Sequence, residues 1–118
     1  MGLILFIVSL ILKRILELPV YIYCSIIALS KREWLDYYNK SLAIATDHYG
    51  NGLCCYLFNQ ILIKKGSHQF GNIDETISSV IGKNKVAGTL TGLGRVVDKI
   101  LDIIDPNHSI KSIDNSQN

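Results

Sequence analysis

Apolar positions crowd the start of this chain and become periodic further on. Residues 3–12 are ten apolar or small side chains, and residues 18–29, LPVYIYCSIIAL, form a second such run. Between them stand Lys13, Arg14 and Glu17, the only charged residues in 1–29. Joined as one helix, the runs are long enough to cross a bilayer, which takes about 20 residues. On a helical wheel Ser9, Lys13, Arg14, Glu17, Tyr21, Cys24 and Ser25 share one side, and the rest is Leu, Ile, Val and Phe. Lys13 and Arg14 are spaced to pair with Glu17 at i,i+4 and i,i+3. Pro19 predicts a kink near the middle.

The later pattern predicts further helices. Trp34, Tyr38, Leu42 and Ala45 recur at helical spacing over 33–46. DHYGNG, residues 47–52, predicts a break, because its glycines and asparagine favour turns. Residues 53–63, LCCYLFNQILI, form a third apolar element that is either helix or buried strand, and 64–72 form a loop. Ile73, Ile77, Val80 and Ile81 predict a helix over 73–82, ended by Gly82. Leu93, Val96, Val97, Ile100, Leu101 and Ile104 predict one over 90–104, stopped at Asp105-Pro106. A short turn capped by Asn107 follows. The expected fold is mainly α: an apolar helix at 1–32, a small helical domain at 33–113 and a disordered polar tail at 114–118.

Three readings of 1–32 compete: a transmembrane helix, a helix lying in the membrane interface, and a buried helix of a soluble core. A charge at mid-membrane depth costs about 2.5–3.5 kcal/mol, which penalises a single span unless the charges pair. A buried helix needs cover on most sides, and little of a 118-residue chain remains to supply it. Membrane association is therefore expected. The rings of Trp34, Tyr37 and Tyr38 suit a membrane boundary and a protein core equally.

Composition narrows the classes. Twelve basic against ten acidic residues give a net charge of +2, and the bases come as separate pairs, so no nucleic-acid partner is expected. Three cysteines without a C-x-x-C spacing are read as reduced, buried thiols rather than disulfides or a zinc site. His48, His68 and His108 lack paired spacing, so neither metal nor cofactor is expected. Gly92-x-Gly94 lacks the third glycine of a dinucleotide loop, and Gly82-Lys83 lacks the rest of a phosphate loop.

The densest polar cluster is GNIDETISSVIGKNK, residues 71–85. Asn72 and Glu75 fit a capping box, with Asp74 and Glu75 in a first helical turn. The remaining polar residues would then form a solvated outer face. Asn72, Asp74, Glu75, Thr76, Ser78, Ser79 and Lys83 are accordingly the candidate recognition residues. The catalytic alternative sets Asp74, Glu75, Ser78, Ser79 and Lys83 across a cleft from His108 and Asp105, for proton transfer or hydrolysis. Ser79 and Lys83 are one position further apart than an S-x-x-K pair.

The block G-N-x-D-E-T-I-S-S-x-x-G-K at 71–83, then L-D-x-I-D-P-N-H at 101–108 and K-S-I at 111–113, resembles a group of small uncharacterised proteins of tailed phages and prophages. Asp47-His48-Tyr49-Gly50-Asn51 is similar to the group's Asp-x-x-x-Asn segment. This chain departs in Ser109, where Cys is frequent, which weakens a metal or thiol role there. It also has a longer, less glycine-rich join between Asn51 and Gly71. The resemblance implies a phage source and supplies no activity. With the apolar N-terminus, it leads to the expectation of a non-enzymatic protein at the host inner membrane, contacting a host or phage protein, with self-association as a further option. Lysis, superinfection exclusion and host takeover fit alike. The alternatives are a minor virion or DNA-delivery component, and a small hydrolase or metal-binding module.

Overall fold

A computed structural model describes residues 1–114, with Arg32 described by its backbone. Five helices make up the described chain: α1 (Gly2–Ala28), α2 (Arg32–Ile61), α3 (Ile77–Ala87), α4 (Gly92–Ile104) and α5 (His108–Lys111). The expected mainly α class holds. The chain divides into two compact units, Met1–Ser41 and Leu42–Asn118, not at residue 32, because α2 runs unbroken through both.

In the first unit α1 is continuous through Pro19. Lys13 Nζ lies 4.0 Å from Glu17 Oε1, the expected i,i+4 pair. Tyr21 stacks on Tyr38 with ring centroids 6.0 Å apart, and its hydroxyl donates to Asn39 Oδ1 at 2.8 Å. Ala28 is buried, while Ile4, Ile15, Leu18, Ile22 and Ile26 stay exposed. No described helix is long and apolar enough to cross a membrane. The transmembrane reading of 1–32 is corrected: the 27-residue α1 has the length, but Lys13, Arg14 and Glu17 in its middle interrupt the apolar stretch.

In the second unit the predicted break at 47–52 is absent. Residues 33–46 and 53–61 belong to one helix, and Gly50 and Gly52 lie inside it. Glycine costs a helix about 1 kcal/mol relative to alanine, and packing gives a reason for one of the two. A Cβ on Gly50 would stand 2.9 Å from Ile77 Cδ1, and one on Gly52 would touch Ile73. Gly50 therefore lets Ile77 lie close against α2, while a methyl group on Gly52 would make only ordinary contact with Ile73.

Past Ile61 the chain passes through a single antiparallel bridge, Ile63 with Leu90. Lys64 N–H donates to Thr89 O and Thr91 N–H to Leu62 O. Leu62, Ile63, Phe70, Val80, Ile81 and Leu90 form the core, flanked by Cys55, Phe58, Ile77, Val97 and Leu101. Phe58 meets Phe70 edge to face at 5.4 Å. The core is small, as expected for a domain of this size.

α3 differs from its prediction at both ends. Thr76, not Asn72, is its N-cap, accepting from Ser79 N–H, and Gly88 in the left-handed conformation ends it. Gly82 lies inside the helix, where a methyl group would collide with the carbonyl oxygen of Ser109. α4 begins at the cap Thr91 and ends at Asp105, close to expectation. Asn107 does precede α5, but it makes no side-chain cap bond and sits at φ 59°. Asp114, assigned to the tail from sequence, donates its N–H to Ser79 Oγ. The remaining tail, 115–118, lies outside the described residues.

Candidate functional site

The polar cluster of 71–85 is largely turned inward. Glu75 is its centre, with its side chain 1% exposed. Ser79 Oγ donates to Glu75 Oε1 at 2.7 Å. Lys83 Nζ lies 2.8 Å from the same oxygen. His68 Nε2 donates to Oε2 at 2.8 Å, a contact that places the ring proton on that nitrogen. Burial pushes the Glu75 carboxyl up, yet Lys83, His68 and Ser79 together outweigh it and hold it below the ordinary carboxylate value.

A second set of bonds clamps the chain ahead of α3 onto α2. Asp47, Asn51, Cys55 and Asn59 are spaced four apart, so they form one ladder along the helix. Asp47 Oδ1 accepts from Ile77 N–H at 2.8 Å and Oδ2 from Ser78 Oγ at 3.0 Å. It thus shares with Thr76 the capping of α3, with its carboxylate at the positive end of that helix. Asn51, wholly buried, accepts from Gly71 N–H at 2.8 Å and donates to the carbonyls of Asn72 and Glu75 at 3.1 and 2.6 Å. Cys55 packs beneath Gly71, whose φ of 129° favours glycine. Asn59 bonds both backbone groups of Phe70, at 2.7 Å to the N–H and 3.1 Å to the carbonyl. His48 Nδ1 contacts Ile73 O at 2.9 Å.

The C-terminal segment closes on the same network. Ser79 Oγ also accepts the Asp114 N–H at 2.8 Å. Ser109, buried, donates to Asp98 Oδ1 at 2.5 Å. Asp98 pairs with Lys85 at 2.8 Å, and Asp102 with the same ammonium at 3.3 Å. The Asp98 carboxylate leads in raising the Lys85 value above the ordinary one.

The structure therefore brings together Glu75, Ser79 and Lys83, adds Ser78 through Asp47, and leaves Asp74 exposed at the surface. Asn72 Oδ1 accepts from Asp74 N–H at 3.0 Å, a local turn and not the expected capping box. The predicted solvated face is corrected, since Glu75, Ser78 and Ser79 are buried. His108 bonds Asp105 at 3.1 Å instead of the cluster. The cluster's histidine is His68, which sequence reasoning passed over; its only signal was a polar residue in a loop seven positions before Glu75. Among the described residues no group of three or more His, Cys, Asp and Glu side chains is placed to hold a metal ion. The three cysteines are free and half-buried, more accessible than expected.

Glu75 and Ser79 are buried within the cluster, and the partly exposed His68 is its main contact with solvent. Glu75 has donors on both oxygens, and Ser79 Oγ both donates and accepts within the chain. A nucleophile with no exposed surface offers a substrate no approach. Comparison with known proteins returned no matching family model, curated protein or solved structure.

Proposed function

We propose that this is a small phage- or prophage-encoded protein that associates with the host inner membrane through α1 and acts by protein interaction. One observation carries the reading. α1 leaves Ile4, Ile15, Leu18, Ile22 and Ile26 exposed in one row and also exposes Leu5, Phe6, Leu10 and Leu16 on its other sides, with Tyr38 and Asn39 meeting it at Tyr21. With three charges at mid-length, such a helix suits the interfacial plane better than a span. Immersing five aliphatic side chains contributes on the order of 5–10 kcal/mol. The burial of Ser79 and Glu75 favours a structural role for the 71–83 block over the hydrolase alternative.

The test is fractionation of cells producing the full chain beside the Ile15→Glu, Ile22→Glu variant. The wild type is expected with the membranes and the double variant in the supernatant. A wild-type chain that stays monodisperse in detergent-free buffer overturns the reading.

A further inference from the structure

α4 is two-faced. Gly94, Val97, Asp98 and Leu101 turn toward the rest of the unit. Leu93, Val96, Ile100, Ile103 and Ile104 are exposed, the last two by 81% and 78%. Their spacing places them on one arc of about 100°. Five adjacent large aliphatic side chains in water mark an interaction surface.

The charges of α4 are sorted by sign between its sides. Both acids point inward, where Lys85 engages them: Asp98 at 2.8 Å and Asp102 at 3.3 Å. Both bases, Arg95 and Lys99, are exposed and have no ion-pair partner among the described residues. On the helical wheel they border the apolar arc. They also line a cleft of about 330 Å³ with Lys85, Asp98 and Asp102, whose three bases outnumber its two acids. The outward surface is thus an apolar stripe flanked by two unpaired bases, with the partly exposed Asp102 beside them held by Lys85.

We propose that α4 docks on an anionic phospholipid surface. The stripe enters the acyl boundary, and Arg95 and Lys99 meet lipid phosphates beside it. Charge complementarity selects this occupant. A second copy would bring no free acid to the two bases, since both carboxylates of α4 are already engaged by Lys85, and an antiparallel two-fold pair would set the bases against their own duplicates. An uncharged apolar partner would leave both bases without counter-charge. The inference rests on the membrane setting proposed for α1 but uses other residues, so the two can fail separately.

The experiment is flotation of the full chain with vesicles of phosphatidylcholine alone and of equimolar phosphatidylcholine and phosphatidylglycerol. Circular dichroism checks that each variant keeps its helix content. Two basic groups predict roughly 30-fold tighter binding to the anionic vesicles, weakened by salt. Arg95→Glu with Lys99→Glu, both at exposed positions, should abolish that preference and leave binding to neutral vesicles unchanged. Ile100→Glu with Ile103→Glu should weaken binding to both. The α1 double variant should lose neutral-vesicle binding and keep the anionic preference. Charge reversal without effect on the preference overturns the inference, as does a stripe variant that binds like wild type. A stripe variant that loses self-association while keeping vesicle binding makes a second copy the occupant, and also overturns it. If only neutral-vesicle binding is missing from the wild type, the α1 reading falls and this one stands.

Discussion

Glu75 shows how much one buried carboxylate organises. Its oxygens gather a lysine, a histidine and a serine from different turns and loops. Removing its charge strands the Lys83 ammonium, and breaking one side of a buried pair costs about 3–5 kcal/mol. Glu75→Gln should lose stability on that scale in urea denaturation at neutral pH. The loss should shrink in acid. The folded Glu75 value is lowered, so its stabilisation is full above the ordinary carboxylate value of about 4.3. It fades as pH falls through the folded value. Lys85 is the mirror case: its value is raised, so its contribution is full below the ordinary lysine value and is lost as alkali carries pH through the folded one. Glycine is the other residue whose position matters. A methyl group on Gly94 would collide with Leu62 O, whereas one on Gly92 meets nothing within 4 Å. Thermal melts should find Gly94→Ala destabilised by about 1–3 kcal/mol and Gly92→Ala close to wild type.

At the scale of elements, α2 is the scaffold on which the second unit is assembled. Its ladder from Asp47 to Asn59 fixes the chain at 70–78 mostly through backbone groups, so the sequence of that segment is held in place regardless of its own weak propensity. Asn51 is the central rung, and it uses both ends of its amide. Asn51→Leu leaves the Gly71 N–H and the Glu75 carbonyl without their partner, at about 1–3 kcal/mol for each buried group. Asn51→Asp restores an acceptor for Gly71 but sets a carboxylate against two carbonyls. Both variants should be destabilised in equilibrium unfolding. Hydrogen exchange should report faster opening of 70–76 than of α4, because the defect is local to the clamp.

At the scale of the molecule, the unusual property is where apolar surface lies. The core of the second unit is small, while α1 and α4 leave rows of aliphatic side chains in the open. A chain built this way should self-associate without an amphiphile. Light scattering is expected to show large assemblies of the full chain in plain buffer and a narrow species in mild detergent. Combining the α1 and α4 glutamate substitutions should remove the need for detergent. Persistence of the assemblies in that combined variant would assign them to some other surface.

Periodicity alone was enough to determine that this chain is helical and where α4 begins and ends. Asp105 and Pro106 end the helix through local backbone effects that any surroundings would preserve, whereas Thr91 is also held by Ile61 and Leu62. Composition likewise marked α1 as a helix with too little protein to cover it. Other features depended on residues far apart in the chain. The turn signals of DHYGNG were outweighed because Gly50 makes room for Ile77, and because Asp47 and Asn51 gain partners 20 to 31 positions away. Asn72 and Glu75 have capping-box spacing, but burial drew Glu75 to Lys83 and His68 and moved the cap to Thr76. The apolar side of α4 was legible as a stripe. That much of it faces outward, with the acids turned in toward Lys85, was decided only by tertiary packing: Gly94 brings the helix against Leu62, and Ser109 and Lys85 supply the partners that make burying Asp98 tolerable.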